Sequence, residues 1–250
     1  MAGHSKWAKI KIKKGKMDAL RGKAFTKLAK DIIAAAKAGG GDPDNNLRLR
    51  NAISKAKAAS MPADNIKRSI QRGTGEIDGA QYEEFSYEGY GPGGVAVIVF
   101  CMSDNKNRTA PEVRTTFKAG SDNLGENGCV SYLFDSKGVI IINKKPGLDE
   151  DELMMAALDA GAEDLKTDNP EVIEIITPAH DVYHIKEELE AAGYEIEDAE
   201  STMIPQNTVL VTGNDAKQML KLLDTFENND DIQNVYSNMD ISDEDLELYS

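Results

Sequence analysis

The stretch Phe85-Ser86-Tyr87-Glu88-Gly89-Tyr90-Gly91-Pro92-Gly93-Gly94-Val95-Ala96-Val97-Ile98-Val99-Phe100-Cys101-Met102 is where this 250-residue chain changes character. Phe85 to Tyr90 reads as a strand and Gly91 to Gly94 as a turn, because Gly and Pro punctuate regular structure. Val95 to Met102 is an unbroken apolar run rich in β-branched residues, the pattern of a strand buried on both faces. Before this hairpin the sequence reads as helix, and after it strands and helices alternate. A domain boundary is therefore expected near residues 73 to 81.

Upstream, residues 17 to 38 read as an amphipathic helix, with Ala24, Phe25, Leu28, Ile32 and Ala36 recurring at three- and four-residue spacing. Gly39-Gly40-Gly41 ends it. Lys16, Lys23, Lys27, Lys30 and Lys37 fall in one arc opposite that apolar face. A second helix after Asp42-Pro43-Asp44 is predicted to bury Leu49, Ala52, Ile53 and Ala56, and a third, from near Pro62 to Gly73, to bury Ile66 and Ile70. Three such helices make a small bundle. Residues 1 to 16 are basic and poor in apolar groups, which predicts an extended arm that orders on binding.

Downstream, Val113 and Phe117 mark a helix, followed by strands near Cys129 to Phe134 and Val139 to Ile142. A helix at Asp149 to Ala160, a strand at Val172 to Thr177, a helix at Asp181 to Ala192 and a strand at Tyr194 to Ile204 come next. Strand, helix and strand then recur at Thr208 to Thr212, Asn214 to Glu227 and Asn234 to Met239, before an acidic tail, Ser242 to Ser250, expected to fray. This order predicts an α+β multidomain protein in which two ferredoxin-like, split βαβ sandwiches follow the bundle.

The charge divides the chain in the same place. Residues 1 to 75 carry 18 Lys+Arg against 5 Asp+Glu, net +13, and residues 76 to 250 carry 11 against 38, net −27, within a total of −14. A basic segment joined to an acidic body predicts a polyanion partner gripped at one end. No run of about 18 apolar residues suits a membrane, and Met1 to Trp7 carries charge where a secretory signal would be apolar, so a cytoplasmic protein with no membrane partner is expected. Cys101 and Cys129 are the only cysteines, too few for a disulfide framework or a cysteine metal cluster.

The residues expected to contact nucleic acid are Lys6, Trp7, Lys9, Lys11, Lys13, Lys14 and Lys16 in the arm, Arg21, Lys23, Lys27 and Lys30 on the first helix, and Arg48, Arg50, Arg68 and Arg72 on the other two. Their ammonium and guanidinium groups would displace condensed counterions from a phosphate backbone. Trp7, the only tryptophan, suits either base stacking or packing on the bundle. No helix begins with the Arg, Asn and Gln mixture of a base-reading recognition helix, so backbone and shape recognition, as in folded RNA, fits better than sequence readout. In the polar loop Ser103 to Thr109, Asn105, Lys106 and Arg108 are candidates for a partner contact, and Asp104, Asn105 and Asn107 equally for capping the next helix.

Enzyme chemistry finds no foothold. Gly91-Pro92-Gly93-Gly94 lacks the Lys-Ser/Thr of a phosphate-binding loop, and His180 and His184, four apart, lack the Glu and third ligand of a zinc site. No nucleophile with its base and no catalytic carboxylate pair can be picked out, so neither cofactor, metal nor small-molecule substrate is expected.

The opening Met1-Ala2-Gly3-His4-Ser5-Lys6-Trp7 resembles that of the YebC-type family of probable transcriptional regulatory proteins. So do Arg21-Gly22-Lys23, Phe25-Thr26-Lys27, Gly39-Gly40-Gly41-Asp42-Pro43, Glu88-Gly89-Tyr90-Gly91-Pro92-Gly93-Gly94, Ser103-Asp104-Asn105-Lys106-Asn107-Arg108-Thr109 and Met203-Ile204-Pro205. The resemblance spans essentially the whole chain and implies three domains, the third inserted in the second. The expected limits are 1–77 for arm and bundle, 78–128 with 205–240 for the second domain, 129–204 for the insertion and 241–250 for the tail. Bacterial members are described as DNA-binding regulators, a mitochondrial relative as a translational activator of cytochrome oxidase subunit one, and others as helping ribosomes through difficult sequences such as proline runs. The function expected is a non-enzymatic regulator bound to ribosomal RNA at the ribosome, with a promoter-binding transcription regulator as the alternative.

Overall fold

A computed structural model of the chain describes residues 21–119 and 124–249. Its first part is the bundle, with α1 at Arg21–Gly39, α2 at Leu47–Ala58 and α3 at Ala63–Thr74. Ile32, Ala36, Leu49, Ala52, Ala56 and Ile66 are buried between the helices, whereas Ile53 and Ile70 are half-covered. Asn46 holds the first two helices together from a buried position. Its side-chain oxygen caps α2 by accepting from the Leu49 N–H at 3.1 Å, and its amide donates to the carbonyls of Ala35 and Gly40 at 2.8 and 2.9 Å. Gly73 lets α3 approach α1, since a Cβ there would lie 2.6 Å from the Ala36 methyl and from the Ile33 carbonyl oxygen.

The Phe85 to Met102 hairpin is β1, Glu83–Gly91, paired antiparallel with β2, Val95–Ser103. α4 follows at Lys106–Ala119, and the chain returns to this domain after residue 206 with β7 at Val209–Val211, α7 at Gly213–Glu227, β8 at Ile232–Ser237 and β9 at Met239–Ile241. β8 pairs antiparallel with β2, giving the order β1-β2-β8, while β7 and β9 form a separate parallel ladder. The two helices cover one sheet face, burying Val97, Val99, Met219 and the edge-to-face pair Phe117 and Phe226, whose ring centroids are 5.0 Å apart. The last described element, α8 at Asp243–Tyr249, replaces the expected frayed tail: the Asp245 N–H bonds to the Ser242 hydroxyl at 3.0 Å, and Leu246 packs on the core.

Phe134–Gln206 is a compact unit of its own, and the remaining described residues form the other. The insertion runs β3 (Phe134–Asn143), α5 (Glu150–Asp159), β4 (Asp164–Lys166), β5 (Val172–Pro178), α6 (Val182–Ala191) and β6 (Asp198–Pro205). Every pairing is antiparallel in the order β4-β5-β3-β6, two split βαβ units interleaved into the ferredoxin-like arrangement. Ile140, Leu153, Ile173, Ile175, Ile185 and Leu189 fill the space between sheet and helices.

Three local readings change. Cys129 to Leu133 is loop and a short 3-10 turn instead of strand, and the strand begins at Phe134. The cause is Glu88, whose buried carboxylate accepts from the N–H groups of Gly128, Val130 and Ser131 at 2.9, 2.9 and 2.8 Å, so this backbone bonds to a side chain instead of a neighbouring strand. The strand expected from Tyr194 starts only at Asp198. The strand expected at Asn234 to Met239 is divided at Asn238, whose side-chain oxygen accepts from the Ala96 N–H at 2.8 Å while its carbonyl accepts from Val209 at 2.8 Å.

Candidate nucleic-acid interface

Lys6, Trp7, Lys9, Lys11, Lys13, Lys14 and Lys16 lie outside the described residues, and of Arg21 and Lys23 only the helical backbone is described. The side chains that can be placed divide into two groups.

Lys27 and Lys30 turn inward, so the α1 lysines do not form one solvated stripe. Lys30 is 4% exposed, and its ammonium donates to the Met102 carbonyl at 2.8 Å, the Asp230 carbonyl at 2.7 Å and Asp231 Oδ1 at 3.2 Å. The Tyr82 ring lies beneath it with its centroid at 5.1 Å. Lys27, half-buried, donates to the Glu227 carbonyl at 2.9 Å. Gln233 completes the seam by donating to the Lys27 carbonyl at 3.1 Å and to Asp31 at 2.9 Å. These bonds seat α1 on the ends of β2 and β8 and tie the bundle to the flanking α+β domain within one compact unit.

Asp231 is the centre of this seam. Besides Lys30 it accepts from Arg108 Nε at 3.1 Å, Arg108 Nη2 at 2.7 Å and the Thr109 hydroxyl at 2.9 Å. Burial alone would raise its carboxyl pKa; the bonds from Arg108, Thr109 and Ser103, with the Lys30 charge, outweigh that and hold it below the usual value. Arg108, proposed from sequence as a partner contact, is thus engaged by Asp231 and also by Asp104 at 2.9 Å. Asn105 takes the capping role, its side-chain oxygen accepting from the Arg108 N–H at 3.1 Å. Lys106 lies over the Phe85 ring at 4.8 Å from its centroid while remaining exposed.

The second group faces solvent. Lys67, Arg68 and Arg72 are exposed on the side of α3 opposite Ile66, Ser69 and Gly73, with Asp64 at the helix start. Among the described residues, Lys67 and Arg68 form no ion pair. Arg48 is exposed but paired with Glu84, and Arg50 is exposed while its guanidinium donates to the carbonyls of Pro43 and Asp44 at 3.1 and 3.2 Å. The exposed cations of the bundle among the described residues are thus Lys67, Arg68 and Arg72 on α3, Arg48, Arg50 and Lys57 on α2, and Lys37 at the end of α1.

His180, in the turn before α6, and His184, on α6, are surface residues. His180 pairs with Asp181 and His184 with Glu188, both at 3.2 Å, and no group of three or more His, Cys, Asp or Glu among the described residues is placed to hold a metal. No described helix is long and apolar enough to cross a membrane.

Two domain signatures cover this architecture: residues 5–76 match the TACO1/YebC protein N-terminal domain, and residues 82–239 match the TACO1/YebC second and third domain. The chain belongs to the TACO1/YebC family. Relatives in Geobacter sulfurreducens and Natranaerobius thermophilus, each named a probable transcriptional regulatory protein, are both 55% identical over 247 and 249 residues, covering 99% of either chain. The crystal structure of a conserved hypothetical protein from Aquifex aeolicus superimposes with a TM-score of 0.81 at 46% identity, over 92% of this chain and 94% of that one. The division between the two TACO1/YebC signatures falls between α3 and β1, where the helical reading of the sequence gives way to strands.

Glu88 and Asp231 are the residues that sequence reasoning missed. Glu88 sits in the Glu88 to Gly94 motif, and its one available signal was a charge between the aromatic residues Tyr87 and Tyr90 of β1. Asp231 had none, since it is one of many acids in an acidic segment and its partners lie 123 and 201 residues away.

Proposed function

We propose that this chain is a non-enzymatic, nucleic-acid-binding regulator of gene expression that works in the cytoplasm, associated with the ribosome, where it eases elongation through difficult sequences. The observation that carries the reading is the division of charge, +13 over residues 1 to 75 against −27 over the rest. Lys67, Arg68 and Arg72 supply a solvent-facing part of the basic surface, joined in this reading by Arg48 and Arg50 and by the lysines of residues 6 to 16. The partner is then a phosphate backbone read by charge and shape, and an acidic body is poorly suited to lie along duplex DNA, which favours folded RNA. Ribosomal RNA is the polyanion this fits. Neither cofactor, metal, membrane nor small-molecule substrate enters the mechanism.

A second reading, a DNA-binding transcription regulator acting at promoters, is favoured by the names of the Geobacter and Natranaerobius relatives. One experiment separates the two: crosslink the intact protein in growing cells, purify it, and sequence attached RNA and DNA in parallel. Dominant ribosomal RNA supports the first reading. Dominant promoter DNA with a defined footprint replaces it with the second.

A further inference from the structure

The inserted unit carries a surface of a different kind. Residues 134 to 206 hold 19 Asp+Glu against 5 Lys+Arg, a net charge of −14, so a nucleic-acid backbone is repelled from it. Three of the nine large hydrophobic side chains left exposed in the described residues nevertheless sit together on α5: Met154 at 38%, Met155 at 68% and Leu158 at 49%.

These three share the outer face of the helix, because Leu153 and Ala157 take the inner face against the sheet. Met154 and Leu158 are one turn apart and stack along that face. Met155 lies beside them, one turn from both Asp151 and Asp159, which are exposed. The result is an apolar strip with a carboxylate border on a helix anchored by its own cap, the Asp149 side chain accepting from the Asp151 and Glu152 N–H groups at 3.0 and 3.1 Å. Methionines adapt their shape to a partner at little cost, which suits them to a docking strip.

We infer that this α5 face docks a basic amphipathic helix of a partner protein, with apolar side chains of that helix seated on Met154, Met155 and Leu158 and its lysines or arginines paired with Asp151 and Asp159. The charge selects the occupant. A second copy of this unit would bring like charges together, and an acidic or neutral helix would leave the carboxylate border unmatched. A helix with an apolar stripe and flanking cations matches both features at once, in the helix-in-groove manner. The inference is independent of the nucleic-acid reading, because it concerns the inserted unit alone.

The test uses the full-length protein and a fluorescein-labelled synthetic 18-residue peptide of leucine and lysine, with leucines at i, i+3, i+4 and i+7, read by fluorescence anisotropy. The key variant is Met155→Glu, which adds negative charge and removes the centre of the strip. The docking inference expects at least tenfold weaker binding by this variant, unchanged thermal unfolding because residue 155 is exposed, and equally weak binding of a scrambled peptide of the same composition. If Met155→Glu binds as tightly as the parent, or the scrambled peptide binds as tightly as the amphipathic one, the attraction is diffuse charge and the inference is overturned. Dimerisation of the parent that Met155→Glu abolishes would assign the strip to a second copy. Tighter peptide binding after replacing Lys9, Lys11 and Lys13 by Ala would assign it to the chain's own basic segment. Either result overturns docking of an outside helix.

Discussion

Replacing Asp231 by Asn tests whether the seam between α1 and the α+β domain is a real structural element. The substitution preserves shape and one acceptor but removes the negative charge that faces Lys30, whose side chain is 6% exposed, and Arg108, whose side chain is 46% exposed. Breaking a buried ion pair by removing one partner costs about 3–5 kcal/mol, because the other charge is left uncompensated away from water. Lys30 keeps its two carbonyl acceptors and Arg108 reaches solvent, so the cost here should fall at the lower end, about 3 kcal/mol. The double variant Lys30→Met/Asp231→Asn removes both buried charges and should recover roughly half of that loss, so the coupling exceeds the cost of Lys30→Met alone by about 1.5 kcal/mol. Because the chain has two compact units, the assay is native-state hydrogen exchange of the α1 amides, which reads the opening of this seam directly. Asp231→Asn should raise exchange in α1 by roughly a hundredfold, the factor equivalent to about 3 kcal/mol. A change below about 0.5 kcal/mol, or strict additivity of the two single variants, would show that Asp231 and Lys30 are merely adjacent.

The remaining expectations concern the same residues. Lys30→Met should leave the salt dependence of nucleic-acid binding unchanged, whereas Arg68→Ala should reduce the slope of log affinity against log salt by roughly 0.7 to 0.9, the value for one neutralised phosphate. Removal of residues 1 to 16 should flatten that slope by the same amount for every phosphate the arm neutralises, and an unaltered slope would refute a role for the arm. Glu88→Ala leaves the N–H groups of Gly128, Val130 and Ser131 without their acceptor, so their exchange should accelerate by roughly thirtyfold or more, equivalent to about 2 kcal/mol. Burial pushes the Glu88 carboxyl up, but the three N–H bonds outweigh it and hold its pKa low, as the bonds from Arg108 and Thr109 do for Asp231. Each therefore adds stability that is present above the unfolded carboxylate range near pH 4 and is lost as pH falls through the folded value. Asp31 has the opposite sign: burial, only partly offset by Lys55, Arg48 and Gln233, raises its carboxyl, so its contribution is lost as pH rises. At pH 7 thermal unfolding should occur at higher temperature in Asp31→Asn and at lower temperature in Asp231→Asn, and both effects should shrink as pH falls below the unfolded carboxylate range.

By itself the sequence determined which elements exist and where the charge lies. The periodicity of Ile32, Ala36, Leu49, Ala52 and Ile66, the breakers at Gly39 to Gly41, and the apolar run Val95 to Met102 are local signals, because burying one face of a helix or both faces of a strand depends on neighbours in sequence. The +13 and −27 halves are equally local, being sums over composition. What the tertiary structure decided is the direction of individual side chains. Lys27 and Lys30 share a helical arc with Lys23 and Lys37, and nothing within α1 distinguishes them; the carbonyls of Met102, Asp230 and Glu227 and the carboxylate of Asp231 do, from 72 to 201 residues away. Glu88 likewise turned an expected strand at Cys129 into a loop through bonds to residues 40 to 43 positions distant. A cation or carboxylate takes whichever partners the fold brings within about 3 Å, and sequence spacing carries no record of that distance.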